Sequence, residues 1–187
     1  MTEAELRRFL AKQGLASRKT AFRKLKGGYS NKVWCVDAPD RCLVAKEFVE
    51  PMSGTLFPNL PEDEAKALRR LAGLDVAPDV LGFWPESSLL VYNYVEGEMW
   101  DGDMEGVAQL LLRKEVADPE GFRTVPIDPS EIIAEGDALF ARCKAPPEVN
   151  PPPVVKVTPP DRFSLIHTDI GVNLVGEGVN LRLIDWQ

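Results

Sequence analysis

The sequence predicts an α+β fold in two parts. An antiparallel sheet with one helix occupies residues 1–95, and a partial helical part with a terminal hairpin occupies residues 96–187. Three observations predict it. Strand-like apolar runs separated by turn residues recur up to residue 95 and are broken once, by an acidic helix start at Pro61. Beyond that, the apolar spacing becomes helical, at residues 107–116 and again after Ser130. The final stretch, residues 164–187, returns to two short apolar runs around a glycine turn. It places His167, Asp169, Asn173 and Asp185 beside them.

A length of 187 residues fits one domain, or one domain with two lobes. The hydrophobic share of 44% suffices for a core, and no apolar run approaches the length of a membrane span. Met1-Thr2-Glu3-Ala4-Glu5 is acidic and lacks a signal-peptide pattern, so the cytoplasm is the expected location. The net charge of −7, without a Lys/Arg cluster flanked by aromatics, argues against nucleic acid, and without a spanning apolar run no membrane partner is expected. It is compatible with a cationic substrate. The three cysteines make no disulfide framework. Counting outward from a turn at Ala38-Pro39 puts Cys35 directly opposite Cys42, as a reduced pair of small apolar residues.

Taken in order, Thr2 caps a first helix, Glu5 completes a capping box, and Leu6, Phe9 and Leu10 share a face before Gly14. Residues 21–25 and 32–36 read as strands around Gly27-Gly28-Tyr29-Ser30-Asn31. Strand, glycine turn, strand is the layout of a phosphate-covering loop, because glycine lets backbone amides approach an anion. Taken alone, such a turn is usually only a hairpin. Residues 42–48 follow as an apolar strand with Lys46 inside it. A buried lysine is costly unless it is paired. Pro61 suits the first position of the next helix, with Glu62, Asp63 and Glu64 in its first turn and Ala67, Leu68 and Leu71 inside. Glu64 is the expected partner of Lys46, with Glu62 as the alternative. A strand then ends near Trp84, Pro85-Glu86-Ser87-Ser88 turns, and residues 89–95 form the next strand. Helices are expected at residues 107–116, with Val107, Leu110, Leu111 and Leu112 apolar, and from a Ser130 cap through Phe140. Residues 145–153 are proline-rich and extended.

The terminal stretch aims two carboxylates and an amide at one point. Phosphoryl transfer requires such an array. One Asp orients the acceptor hydroxyl, while an Asn and a second Asp hold magnesium on the nucleotide phosphates. Singly, His167 would be structural and either Asp a turn former; the ordered set with its hairpin carries the reading. The motif His167-x-Asp169, then Asn173, then Ile184-Asp185-Trp186 resembles the aminoglycoside phosphotransferase and choline kinase-like family, relatives of the protein kinases. Four steps separate Asp169 from Asn173, where the family has five. The family motifs cover residues 26–100 and 163–187.

The resemblance implies a protein kinase-like two-lobed fold. Residues 1–95 would be its nucleotide-binding lobe and residues 96–187 a partial C-terminal lobe with the catalytic loop. It implies transfer of the γ-phosphoryl group of ATP or GTP to a hydroxyl of a small molecule, with Mg as cofactor. Asp169 would be the base and His167 would brace the catalytic loop. Asn173 and Asp185 would be the metal ligands. Gly27, Gly28, Ser30, Lys46 and Glu64 would serve the phosphates, and the main chain of Asn93, Tyr94 and Val95 the base. The acceptor stays open among aminoglycosides, choline, sugars and other metabolites. An alternative is a degenerate or truncated relative that binds nucleotide or a partner without turnover. An enzyme acting on proteins fits less well with Ile184-Asp185-Trp186. The family's later helices are expected after residue 187. Without them, the helices at residues 107–116 and 130–140 are expected to expose an apolar face for self-association. Such a chain is expected to bind nucleotide weakly, without acceptor-dependent transfer.

Overall fold

In the computed structural model, five strands of the N-terminal half form one antiparallel sheet. The structure describes residues 1–25, 31–49, 59–124, 129–143, 158 and 162–186. Gly27, Gly28 and Ser30, and the proline-rich residues 145–153, lie outside the described residues. The strands are β1 (Ala21–Lys24), β2 (Asn31–Ala38), β3 (Arg41–Phe48), β4 (Val80–Trp84) and β5 (Leu89–Asn93), in the order β1-β2-β3-β5-β4. With its helices, this makes the chain α+β.

Two expectations need correction here. β5 ends at Asn93 rather than at residue 95; one last bond to β3 follows, from the Tyr94 amide to the Cys42 carbonyl at 3.0 Å, and residues 94–96 are no longer strand. The β2–β3 hairpin turns through Pro39 and Asp40, with Ala38 opposite Arg41. Proline suits the first loop position, where its fixed φ is already that of a turn. Cys35 is therefore opposite Val44, and Cys42 opposite Asp37. The cysteines are diagonal neighbours on one face, not a facing pair.

Side chains alternate between the two faces of the sheet. On one face Val36, Leu43, Ala45, Leu89 and Val91 bury against Leu6 and Leu10 of α1 (Glu3–Lys12). Thr2 and Glu5 form the capping box that starts α1. Lys46 and Tyr92 belong to the other face. There α2 (Pro61–Leu71) packs on β4 and β5, with Pro61 at its start and Glu64, Ala65, Leu68 and Leu71 buried. Gly82 leaves room for the Trp84 indole, which a Cβ at that position would meet at 2.2 Å.

The remaining elements are α3 (Met104–Lys114), α4 (Pro129–Cys143), β6 (Leu174–Val175) and β7 (Arg182–Leu183). α3 begins before the expected residue 107, because Asp103 caps it by accepting from the Gly106 amide. Val107 and Leu110 are buried, whereas Leu112 points outward at 71% exposure. α4 begins at Pro129, so Ser130 is inside the helix rather than its cap. Proline lacks the amide that a first helical position leaves unused. The chain divides into two compact units, residues 1–118 with 165–187, and residues 119–164. α4 lies in the second and every other element in the first. No helix among the described residues is long and apolar enough to cross a membrane.

Candidate functional site

The site is built on the Lys46 face of β3. Lys46 is 2% exposed, and its Nζ donates to Glu64 Oε2 at 2.5 Å and to Asp185 Oδ1. The ammonium also lies 4.9 Å from the centre of the Phe48 ring. Burial works against the charge on Lys46, but the adjacent Glu64 and Asp185 carboxylates outweigh it and raise the lysine above its ordinary value. Glu64 is pushed up to about 7, first by complete burial and then by the Asp185 charge, against the attraction of Lys46. An isolated ion pair would lower its acid; here complete burial outweighs the attraction of Lys46, and the Asp185 charge adds to the rise. Glu64 Oε1 is buried and has no hydrogen-bond partner among the described residues.

The catalytic-loop candidates form a connected turn. The Asp169 amide donates to His167 Nδ1 at 3.1 Å, so Nδ1 carries a lone pair. The proton is then on Nε2, which donates to the Ile184 carbonyl at 2.9 Å. Burial pushes His167 below its ordinary value, and the Ile184 carbonyl opposes that only in part. His167 is thus a neutral brace, and Trp186 stands edge-on to its ring at 5.0 Å. Residues 171–173 form a short 3-10 turn. Across it the Asn173 side-chain Nδ2 donates to the Asp169 carbonyl at 2.8 Å. The four-step spacing folds Asn173 back over Asp169, as one helical turn would. The Asn173 oxygen remains as its acceptor, and Asp169 itself is exposed.

The hairpin fixes the far side. Leu174 pairs with Leu183, and the Ile184 amide donates to the Asn173 carbonyl at 2.9 Å. The next residue, Asp185, has a left-handed backbone with φ +62°. This conformation is uncommon for a side-chain-bearing residue, and Asp and Asn tolerate it best. It turns the Asp185 carboxylate toward Lys46.

Several supporting residues carry no motif and were missed in the sequence. Lys114, 4% exposed, donates from Nζ to the Leu165 carbonyl and so holds the segment entering His167. Its only sequence signal is its place four residues after Leu110 on the buried side of α3. Asp103 caps α3 with one oxygen and accepts from the Gly178 amide at 3.3 Å with the other. Gly97 and Gly176 lie back to back: a Cβ on Gly97 would fall 2.8 Å from Gly176 Cα. That approach lets residues 98–100 run along the hairpin, with Glu98 accepting from the Gly176 amide at 2.9 Å.

On the same face of β3, four residues from Lys46, a cavity of about 400 Å³ opens. Arg23, Cys35, Asp37, Cys42, Tyr94 and Glu96 line it. Strand geometry separates it from Lys46 by about 13 Å. In the adjoining 93–95 segment, the Asn93 and Tyr94 amides are committed to the Asp79 and Cys42 carbonyls, each at 3.0 Å. The Val95 amide has no partner among the described residues.

Among the described residues, no group of three or more His, Cys, Asp or Glu could hold a metal ion. Magnesium takes one or two protein oxygens and fills its shell with phosphates and water, and the amide and carboxylate oxygens of Asn173 and Asp185 are of the type it accepts. The Asp185 side chain is 38% exposed, which leaves it accessible for that role.

No protein-family model matches the sequence, and no curated protein does. Solved structures do match. A choline/ethanolamine kinase family protein of Mesorhizobium loti aligns over 100% of this chain and 65% of its own, with 19% identity and a TM-score of 0.59. A protein of Ralstonia eutropha proposed to be an aminoglycoside phosphotransferase aligns over 99% of this chain and 64% of its own, with 14% identity and a TM-score of 0.63. A choline kinase of Streptococcus pneumoniae aligns over 98% and 68%, with 16% identity and a TM-score of 0.58. The likeness is one of fold: this chain has the α+β architecture of these kinases, over about two thirds of their length.

Proposed function

We propose that this chain belongs to the aminoglycoside phosphotransferase and choline kinase-like family and transfers the γ-phosphoryl group of ATP or GTP to a hydroxyl of a small molecule, in the cytoplasm. The observation that carries the reading is Lys46. It is buried in a strand and held at once by Glu64 of α2 and by Asp185 of the hairpin. A lysine so placed meets phosphate oxygens with a fixed ammonium. A base in the cavity beside Tyr94 and Glu96 and phosphates at Lys46 would lie along one strand face. The Val95 amide is then the main-chain donor for the base, and residues 1–95 are the nucleotide lobe. Gly27, Gly28 and Ser30 would cover the phosphates from the β1–β2 turn.

Asp185 and Asn173 would hold magnesium, which when bound neutralises charge on the phosphates. The Asp169 carboxylate accepts the proton of the acceptor hydroxyl, or orients that hydroxyl for attack. His167 moves no proton. It is neutral and committed at both nitrogens, and it keeps Asp169 at the tip of the loop. Catalysis on this reading is positioning and charge neutralisation.

The test is a phosphate-transfer assay on aminoglycosides, choline and simple sugars. Acceptor-dependent transfer that disappears in Asp169→Asn supports the reading. The second reading is nucleotide binding without turnover. The four-step spacing favours it, because the Asn173 amide is folded onto the Asp169 carbonyl. Saturable nucleotide binding with no transfer to any acceptor would select it.

A further inference from the structure

We propose that Cys35 and Cys42 form an oxidisable dithiol, a modification site at which hydrogen peroxide joins the two thiols into a disulfide across the β2–β3 hairpin. The two sulfurs are 3.2 Å apart, and both thiols are free. A bonded pair sits at about 2.05 Å, so closure brings the sulfurs about 1 Å nearer and draws the two strands together at this diagonal pair. The diagonal register makes this contact, with Cys35 opposite Val44 and Cys42 opposite Asp37. Both sulfur-bearing residues line the cavity of about 400 Å³. Cys35 is 4% exposed and Cys42 is half-buried, so a small peroxide entering the cavity meets Cys42 first.

The chemistry balances with one peroxide. The Cys42 thiolate attacks a peroxide oxygen and the O–O bond breaks. The released hydroxide takes up the thiol proton as water, leaving Cys42 as a sulfenic acid. The Cys35 sulfur then attacks the Cys42 sulfur. An S–S bond forms, the S–O bond breaks, and the oxygen leaves as a second water with the Cys35 proton. The two sulfurs are oxidised and the two peroxide oxygens are reduced.

The surroundings set the rate. Burial, then the hydrogen bond with Cys35, pushes the Cys42 thiol up to about 12; Asp37 adds to this and Arg23 opposes it. The thiolate is scarce at neutral pH, so the first step is slow. The second step is fast, because its partner is already in contact. The sulfenic acid therefore does not accumulate. The bond would tie β2 to β3, the strand that carries Lys46, along the wall of the cavity.

The experiment uses the full chain with Cys143→Ser, which leaves two thiols. The folded protein is treated with hydrogen peroxide, and trypsin digestion follows without reductant. Trypsin cuts after Lys32, Arg41 and Lys46, so Cys35 and Cys42 fall in separate peptides, 33–41 and 42–46. The expected product is those two peptides linked, released by dithiothreitol, and formed about tenfold faster per pH unit on the alkaline side of neutrality. In Cys35→Ser, Cys42 should instead be trapped by a sulfenic-acid reagent. Cys42 carried to sulfinic acid in the unsubstituted pair, without linked peptide, overturns the proposal. So do two intact thiols under peroxide that fully oxidises free glutathione.

Discussion

Lys46 and Glu64 meet in the interior with Nζ and Oε2 2.5 Å apart, the lysine 2% exposed and the acid fully buried. A charge left there alone is expensive. Lys46→Met should destabilise the fold by about 3–5 kcal/mol near neutral pH, because Glu64 loses its main counter-charge. The loss should be smaller in acid. The folded-state value of Glu64 is already raised to about 7, so the stability it offers as a neutral acid is present at low pH. That stability is lost as pH rises through the folded value. The double variant Lys46→Met/Glu64→Leu should recover most of the stability. Urea melts at pH 5 and pH 8 check all three outcomes; equal losses at both pH values would contradict them.

His167 is the only histidine in the chain, so its ring signals are unambiguous in an NMR titration. Burial holds its folded-state value below the ordinary one. The neutral ring therefore contributes stability above the unfolded value of about 6.5, and that stability is lost as pH falls through the folded value. The midpoint should lie below 6.5, and ring nitrogen shifts should report the Nε2–H tautomer. His167→Gln should flatten the acid side of the stability profile relative to the parent chain. A midpoint above 6.5 would contradict the dominance of burial over the Ile184 hydrogen bond.

Asp185 keeps a left-handed backbone with φ +62°. Asp185→Gly should relieve that strain, worth about 1 kcal/mol, while removing the carboxylate from Lys46. Asp185→Asn keeps the tolerated conformation without the charge. The glycine variant should melt no lower than the asparagine variant, and both should lose any magnesium-dependent nucleotide affinity. Thermal melts read alongside binding check the pair.

Lys114 reaches the Leu165 carbonyl from α3. Lys114→Met preserves the buried stem and removes the donor. The expected cost is about 1.5–3 kcal/mol, the range for hydrogen bonds to charged groups. Hydrogen exchange should quicken at residues 165–169 more than in β3 or α1. Uniform quickening across the chain would mean that Lys114 supports the whole fold rather than the loop.

Much of the fold and site is legible locally. A lysine inside an apolar strand, followed by Pro61 and three acids, announces a buried pair from the order of residues alone. The α1 capping box is equally local. The Cys35–Cys42 register is not, because it depends on which two residues close the hairpin, and Pro39-Asp40 differs from Ala38-Pro39 by one step. Asp103, Lys114 and the Gly97–Gly176 contact are illegible for another reason. Their partners lie far along the chain, and nothing in their own neighbourhoods marks them. The left-handed turn at Asp185 arises from the hairpin's hold on Ile184, which one residue type cannot reveal.

The most direct test of the central claim is calorimetric titration of the chain with ATP and with GTP, with and without magnesium, in the parent and in Lys46→Met and Asp185→Asn. The account predicts saturable binding of at least one nucleotide, strengthened by magnesium, and weakened about tenfold or more in each variant. Absence of binding by both nucleotides, or magnesium-dependent binding unchanged in Asp185→Asn, would contradict it.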